Sequence, residues 1–356
     1  MRSCVLLLIL LIILRPAVSQ SLTASDHLSI DSFAITVKYD NDIYKLTKEL
    51  TSPYQQDIQK ARSIFRWLTH NIRYDYKLFN KGGVKGPVCK EGQNCEQVFR
   101  DWEREYIHNI LKKKKAVCDG YARIYKKMCE AAGLRCEIIE GYTKSKPYQV
   151  GITGIADHAW NAVWIDSAYL LLDATWAAGY CSENESTGKL TGFTRQFNEY
   201  YWSTSFNDLS RNHFPKDPKW ILTHNYTKEK YANNPYYAAP LLSKLQLISP
   251  SSGVIEAKQG DTIRFRFEYT GAPMLLQLNT NIFRNLDVFK TKKISRKTTI
   301  SEVDTLALKK QKYITYTRTG NSYAFDYVVP DNSLYYMELL FDYRRAMRFK
   351  VKIEKP

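Results

Sequence analysis

Between Cys118 and Trp176 the hydrophobic period changes from helical to alternating, and three chemically useful side chains fall where it changes. In residues 118–132, Tyr121, Tyr125, Met128, Cys129 and Ala132 share one face and Gly133 follows, which predicts a helix with Cys118 in its first turn. Residues 134–142 then read as a strand. Residues 157–165 and 168–173 alternate around Asp166-Ser167 and predict a β-hairpin. With a two-residue turn, Ile165 faces Ala168 and Asp173 comes opposite Trp160. His158, Trp160 and Asp173 therefore share one side of the hairpin, with His158 and Asp173 as diagonal neighbours within side-chain reach.

A thiol nucleophile needs a base to take its proton, and the base needs a third group to fix its ring. Cys118, His158 and Asp173 supply these groups in that order. The unpaired N–H groups and the positive dipole end of a helix start favour an anion at Cys118, and its own backbone N–H is a first oxyanion donor. The second donor stays open among Gln97, Trp102 and Tyr106, which all precede Cys118. Trp160, Trp176 and Tyr180 are candidates for a cleft wall, although most tryptophans simply fill a core. Cys129 and Cys136 lie among apolar neighbours and read as structural thiols. Cys118 differs from them, standing between the 112–115 lysine run and Asp119.

Arg2, the apolar run of residues 5–14 and Ala17-Val18-Ser19 resemble a cleavable secretory leader over residues 1–19. A secreted or periplasmic protein without a transmembrane segment is the expectation. Removing Arg2 and Arg15 with the leader lowers the formal charge from +16 to +14. Such a balance draws a protein to anionic surfaces, a cell envelope among them. No nucleic-acid-binding signature accompanies it, so nucleic acid is not an expected partner. Cys89 and Cys95 flank a five-residue loop and are the natural disulfide. No metal site is expected, because the cysteines and histidines lack paired short spacings and no H-E-x-x-H occurs. No other cofactor is indicated.

Ahead of the cysteine, residues 20–40 read as an extended lead-in from the alternation of Ile35, Val37 and Tyr39. Residues 42–70 read as two helical stripes broken at Ser52-Pro53, residues 77–97 as an exposed insertion, and 98–111 as a helix. Residues 177–240 are irregular and aromatic. Beyond Pro240, short alternating runs at 262–269, 275–278, 313–317, 323–329, 335–341 and 347–353 predict an antiparallel, immunoglobulin-like sandwich over 241–356, following a first domain of 20–240.

Cys-Asp-Gly-Tyr-Ala at 118–122, His-Ala-Trp-Asn at 158–161 and Asp-Ala-Thr-Trp at 173–176 resemble the transglutaminase-like superfamily. The resemblance is closest to its kyphoscoliosis-peptidase-like branch. Residues 61–75, Gly179, Asn212-His213-Phe214-Pro215 and Pro218-Lys219-Trp220 are similar to that branch as well. The resemblance implies an α+β fold: a papain-like core of helices packed on an antiparallel sheet, here followed by the all-β sandwich. It also implies a Cys-His-Asp triad acting on protein or peptide amides through a thioester, with water or an amine as acceptor. Several members of the superfamily are non-catalytic scaffolds. The matching alternative for this chain is a silent triad with a basic C-terminal sandwich that binds a partner.

Overall fold

A computed structural model describes residues 22–354 except 185, 272–274 and 295–298. The leader expected over 1–19 lies outside the described residues. Three helices open the described chain: Ala24–Ala34, Ile43–Thr51 and Asp57–Asn71. The first corrects the extended lead-in. Thr23 and Asp26 form a reciprocal capping box, and Ile30 and Ala34, one turn apart, bury against the core. The alternation at Ile35–Tyr39 lies just past the helix end.

Residues 77–94 hold no strand and only the tail of one short helical turn, and Cys89 and Cys95 are joined by a disulfide. The helix that follows, Cys95–Lys113, is longer than its apolar stripe because the Asn94 side chain accepts from Gln97 N–H and starts it early. Lys114 ends it in the left-handed region. Directly after it Lys115-Ala116 pair in parallel with Arg73-Tyr74, which ties the start of the Cys118–Ala131 helix to the end of the Asp57–Asn71 helix. These two long helices share one core with the sheet. Tyr121 donates its hydroxyl to the Ile72 carbonyl, and Asn161 Nδ2 donates to the Ala122 carbonyl.

That sheet is antiparallel, in the order Ala168–Leu172, Ala156–Ile165, Cys136–Thr143, His213–Pro215. Its hairpin has the register Ile165–Ala168 through Asn161–Leu172. Asp166 and Ser167 both take positive φ, 47° and 69°, the two-residue turn whose twist matches the flanking strands. Within 177–212 the chain forms a hairpin, Gly179–Glu183 with Leu190–Arg195, then short helical turns.

A second core begins at Leu245 and ends at Val351. Two sheets face each other across it. One has the order Leu245–Ser249, Thr262–Tyr269, Ser322–Val328, Thr317–Thr319; the other runs Val254–Ala257, Arg344–Ile353, Tyr336–Phe341, Leu276–Thr280. Phe265 meets Phe349 and Phe267 meets Phe341 between the layers, with ring centroids 5.4 and 5.6 Å apart. One pair departs from the antiparallel expectation: Val254–Ala257 runs parallel to Arg344–Ile353. Residues 250–253 carry the chain from the edge of one sheet to the edge of the other, where Val254–Ala257 pairs with the end of the last strand and Tyr236-Tyr237 pairs antiparallel with its middle. The 313–317 run is not a strand until Thr317. Between 281 and 316 an unanticipated hairpin, Phe289–Lys293 with Thr299–Val303, precedes the short helix Thr305–Lys309.

Gly141 governs how closely the His213–Pro215 strand approaches. A Cβ there would lie 2.2 Å from the Phe214 carbonyl oxygen and 2.5 Å from the Trp160 ring. Gly141→Ala should lower stability by about 1–3 kcal/mol, the usual range for overpacking, read as a fall in urea midpoint. An unchanged midpoint would show that this strand is free to move.

Candidate active site

Cys118 stands at the first position of its helix, after Val117, and no side chain caps that end. The N–H groups of its first turn have no partner within the helix and point toward the thiol's surroundings. The Cys118 thiol donates to the Asp157 carbonyl at 3.7 Å and lies close enough to the His158 ring to favour its charged form. His158 turns its Nε2 to Asp173 Oδ2 at 2.7 Å, so Nδ1 is the nitrogen left for sulfur. Cys118 and His158 are each 9% exposed and Asp173 is fully enclosed. The hairpin register therefore produces the diagonal His158–Asp173 contact, and the helix start completes the line sulfur–imidazole–carboxylate.

Asp173 does two jobs with its two oxygens. Oδ1 accepts from Thr175 N–H at 2.8 Å and Trp176 N–H at 3.1 Å, capping the short Ala174–Ala178 helix. Oδ2 accepts from His158 and, at 3.1 Å, from His213 Nε2. Burial alone would favour the neutral acid, but the charge on His158 and the hydrogen bonds from both histidines hold this carboxyl well below the usual range. Burial likewise opposes charge on His158. The Asp173 carboxylate outweighs it, helped by the neighbouring Cys118, and pushes the imidazole up to about 10. Burial pulls His213 the other way, down from its ordinary value.

Residues 44–174 match the Transglutaminase-like superfamily. Human kyphoscoliosis peptidase is 28% identical over 246 residues, covering 68% of this chain and 34% of the relative. Hillarin of Drosophila melanogaster is 25% identical over 235 residues, covering 62% and 26%. A Lim and transglutaminase domain protein of Caenorhabditis elegans is 27% identical over 213 residues, covering 56% and 26%. Residues 44–174 are a transglutaminase-like domain. Its similarity runs to the kyphoscoliosis-peptidase-like branch, and the chain spans about a third or less of the length of these curated relatives.

The oxyanion candidates separate within this transglutaminase-like domain. Gln97 is exposed, its amide taken by Asp101 and Arg100 on the helix surface. Trp102 stacks on Tyr106 with ring centroids 5.1 Å apart and faces the Arg123 guanidinium. Tyr106 has a buried hydroxyl with no partner, 3.0 Å from where a Cβ on Gly120 would sit. Tyr74, beside Ala116 in the parallel pair, was not singled out from sequence. Burial raises its phenol, as do Cys118, Cys181 and Asp157, so it stays protonated. Trp160 is 2% exposed, its ring 6.1 Å from His158, and it supports the imidazole from the core rather than walling a cleft. Trp176 is half-buried against His158 and His213, and Tyr180 is exposed.

His213 and Asn212 are the other residues that sequence reasoning left unassigned. His213 opens a three-residue strand paired to Thr143–Gly141 and Asn212 is the turn residue before it, and no hairpin rule links either to Asp173. Asp173, His158 and His213 are also the one group among the described residues with metal-ligand atoms within 4.8 Å of one another. The two Nε2 atoms converge on a single carboxylate oxygen at hydrogen-bond distances, with no open centre between them, so these residues do not fit a metal as they stand.

The pair leaves a stability signature. His158, raised from 6.5 to about 10, contributes fully below pH 6.5 and loses its contribution as pH rises toward about 10. Asp173, lowered from 3.8, contributes above that value and loses its contribution in acid. The stability advantage of the wild type over Asp173→Asn should therefore be largest between pH 3.8 and 6.5 and shrink toward pH 10, as read from urea midpoints across that range. A flat difference would refute the pairing.

Proposed function

We propose that this chain is a cysteine-dependent acyl-transfer enzyme acting on peptide or side-chain amides. The carrying observation is the buried His158–Asp173 hydrogen bond beside the Cys118 thiol, which stands at a helix start. The thiol proton passes to His158 Nδ1 while Nε2–H stays on Asp173. The sulfur attacks the substrate carbonyl carbon, and the carbonyl π pair moves to oxygen, which the Cys118 N–H meets. As the C–N bond breaks, the imidazolium returns its proton to the leaving amine and a thioester remains. Water then gives the acid and an amine gives a new amide. Either acceptor loses its proton to His158, and sulfur leaves as the thiol.

Export fits this reading, since residues 1–19 have the pattern of a secretory leader and Cys89–Cys95 is bonded. A second reading, a binding scaffold, is favoured by the C-terminal region, where residues 241–356 carry twenty Lys and Arg against eleven Asp and Glu. An anionic surface such as a cell envelope is the partner that charge would suit. Iodoacetamide distinguishes the two. Cys118 should be alkylated near neutral pH, His158→Ala should slow the reaction, and Cys118→Ala should abolish release of peptide products and incorporation of a labelled amine. Equal alkylation in wild type and His158→Ala would overturn the enzyme reading and leave the scaffold.

A further inference from the structure

The His213 motif, Asn212-His213-Phe214-Pro215, has no part in the reaction just described, yet it ends against the catalytic carboxylate. We propose that His213 is a positioning residue, whose Nε2–H and the Asn212–Tyr201 chain behind it fix Asp173 so that Asp173 in turn fixes His158. The proposal rests on the acyl-transfer reading. His213 is 1% exposed, and its Nε2 lies 3.1 Å from the same Asp173 oxygen that His158 meets at 2.7 Å.

The chemistry of that shared oxygen sets the protonation of both rings. An ionised carboxylate only accepts, so each Nε2 must carry hydrogen. His158 then has Nδ1 for the thiol proton and becomes cationic when it takes it. A second cation 5.4 Å away between ring centroids, with no further carboxylate on it, would oppose that step. His213 therefore serves as a neutral donor, and its bare Nδ1 needs a donor of its own. In the structure the Asn212 Oδ1 lies 2.6 Å from that Nδ1, and the Asn212 Nδ2 donates to the Tyr201 hydroxyl at 3.1 Å. Turning this amide over exchanges O and N and leaves every heavy-atom position in place: the NH2 then donates to His213 Nδ1, the oxygen accepts from Tyr201, and each contact from Tyr201 to Asp173 has one donor and one acceptor.

The walls leave His213 little choice of position. Trp176, Trp160 and Tyr201 surround its ring at centroid distances of 4.7, 5.1 and 5.9 Å. Its strand is paired to the Gly141–Thr143 end of the strand beside the one that carries His158. Lys144 N–H donates to the Asn212 carbonyl, and the Lys144 ammonium is held by the Ala232 and Asn234 carbonyls at 2.7 and 2.8 Å. The donor that steadies Asp173 is thus itself anchored from both sides.

The test is alkylation of Cys118 by iodoacetamide in the full chain, followed by mass spectrometry of the Cys118 peptide. His213→Leu removes the donor and His213→Gln keeps an N–H near the Nε2 position. His213→Leu should slow alkylation by about tenfold to a hundredfold, the usual cost of losing an outer-shell partner. His213→Gln should recover most of the rate, and the pH profile should shift in the leucine variant alone. Wild-type rates in His213→Leu, with His158→Ala slow, would overturn the positioning role while the acyl-transfer reading stands. Equal slowing in the leucine and glutamine variants would reduce His213 to packing and overturn it too. Wild-type rates in His158→Ala would overturn both. Should His213→Leu fail to fold, nitrogen NMR of the histidine-labelled wild type decides: neutral His213 with hydrogen on Nε2 is expected, and hydrogen on Nδ1 or a charged ring would overturn the proposal.

Discussion

A fully enclosed carboxylate is the constraint on which the rest of this site depends. Moving an ionised carboxyl out of water is costly unless its lone pairs are matched, and unmatched it simply takes up a proton. Asp173 is matched on both oxygens, by two backbone N–H groups and by two imidazoles. The backbone donors come from the helix turn it caps, so local sequence secures half of its needs. The imidazoles come from separate strands and exist as partners only after the sheet has assembled. The ionised state of Asp173, and with it the charge capacity of His158, is thus a product of tertiary structure.

The same rule appears at a second buried charge that has nothing to do with the thiol. Arg62 is 1% exposed, and its guanidinium is shared by Asp31 and Glu199 while the Phe65, Phe197 and Trp202 rings lie around it. One ligand comes from the first helix and one from the segment after the Leu190–Arg195 strand. The pairing fastens Ala24–Ala34 to Asp57–Asn71 and draws residues 198–202 onto the back of the core. Tyr201, at the end of that segment, is where the hydrogen-bond chain behind Asp173 begins. Removing both carboxylates would leave Arg62 unmatched in the core, at a cost of roughly 3–5 kcal/mol.

What was legible in the sequence follows from how local each cause is. The 118–131 helix, the Asp166-Ser167 turn and the shared face of His158 and Asp173 rest on period and register over fewer than twenty residues, and those rules hold wherever one face is buried. The opening helix was not legible, because its apolar positions form only a thin stripe and the alternation of Ile35, Val37 and Tyr39 was the louder pattern. The His213 motif was visible as a resemblance, but its place against Asp173 was hidden for a different reason. Its strand is three residues long and pairs with a strand some seventy residues earlier in the chain, so no periodicity announces it. The hairpin and helix inserted between 281 and 316 escaped as well, since their side chains are largely exposed and carry little hydrophobic pattern.

Two imidazoles on one oxygen also impose an order on protonation. Whichever ring carries the charge lowers the other's appetite for a second one, and the shorter contact, to His158, belongs to the ring that also meets sulfur. His213 sits in an aromatic box and is pulled down by burial, so the asymmetry is built into the surroundings rather than into the histidines themselves. Asp173 is then a charge that one ring uses and the other only braces. An oxygen braced from a second direction restricts the swing of the first imidazole, and a restricted imidazole holds Nδ1 where the thiol proton must go. By this logic the His213–Pro215 strand belongs to the reaction centre, although it lies forty residues beyond the last member of the triad.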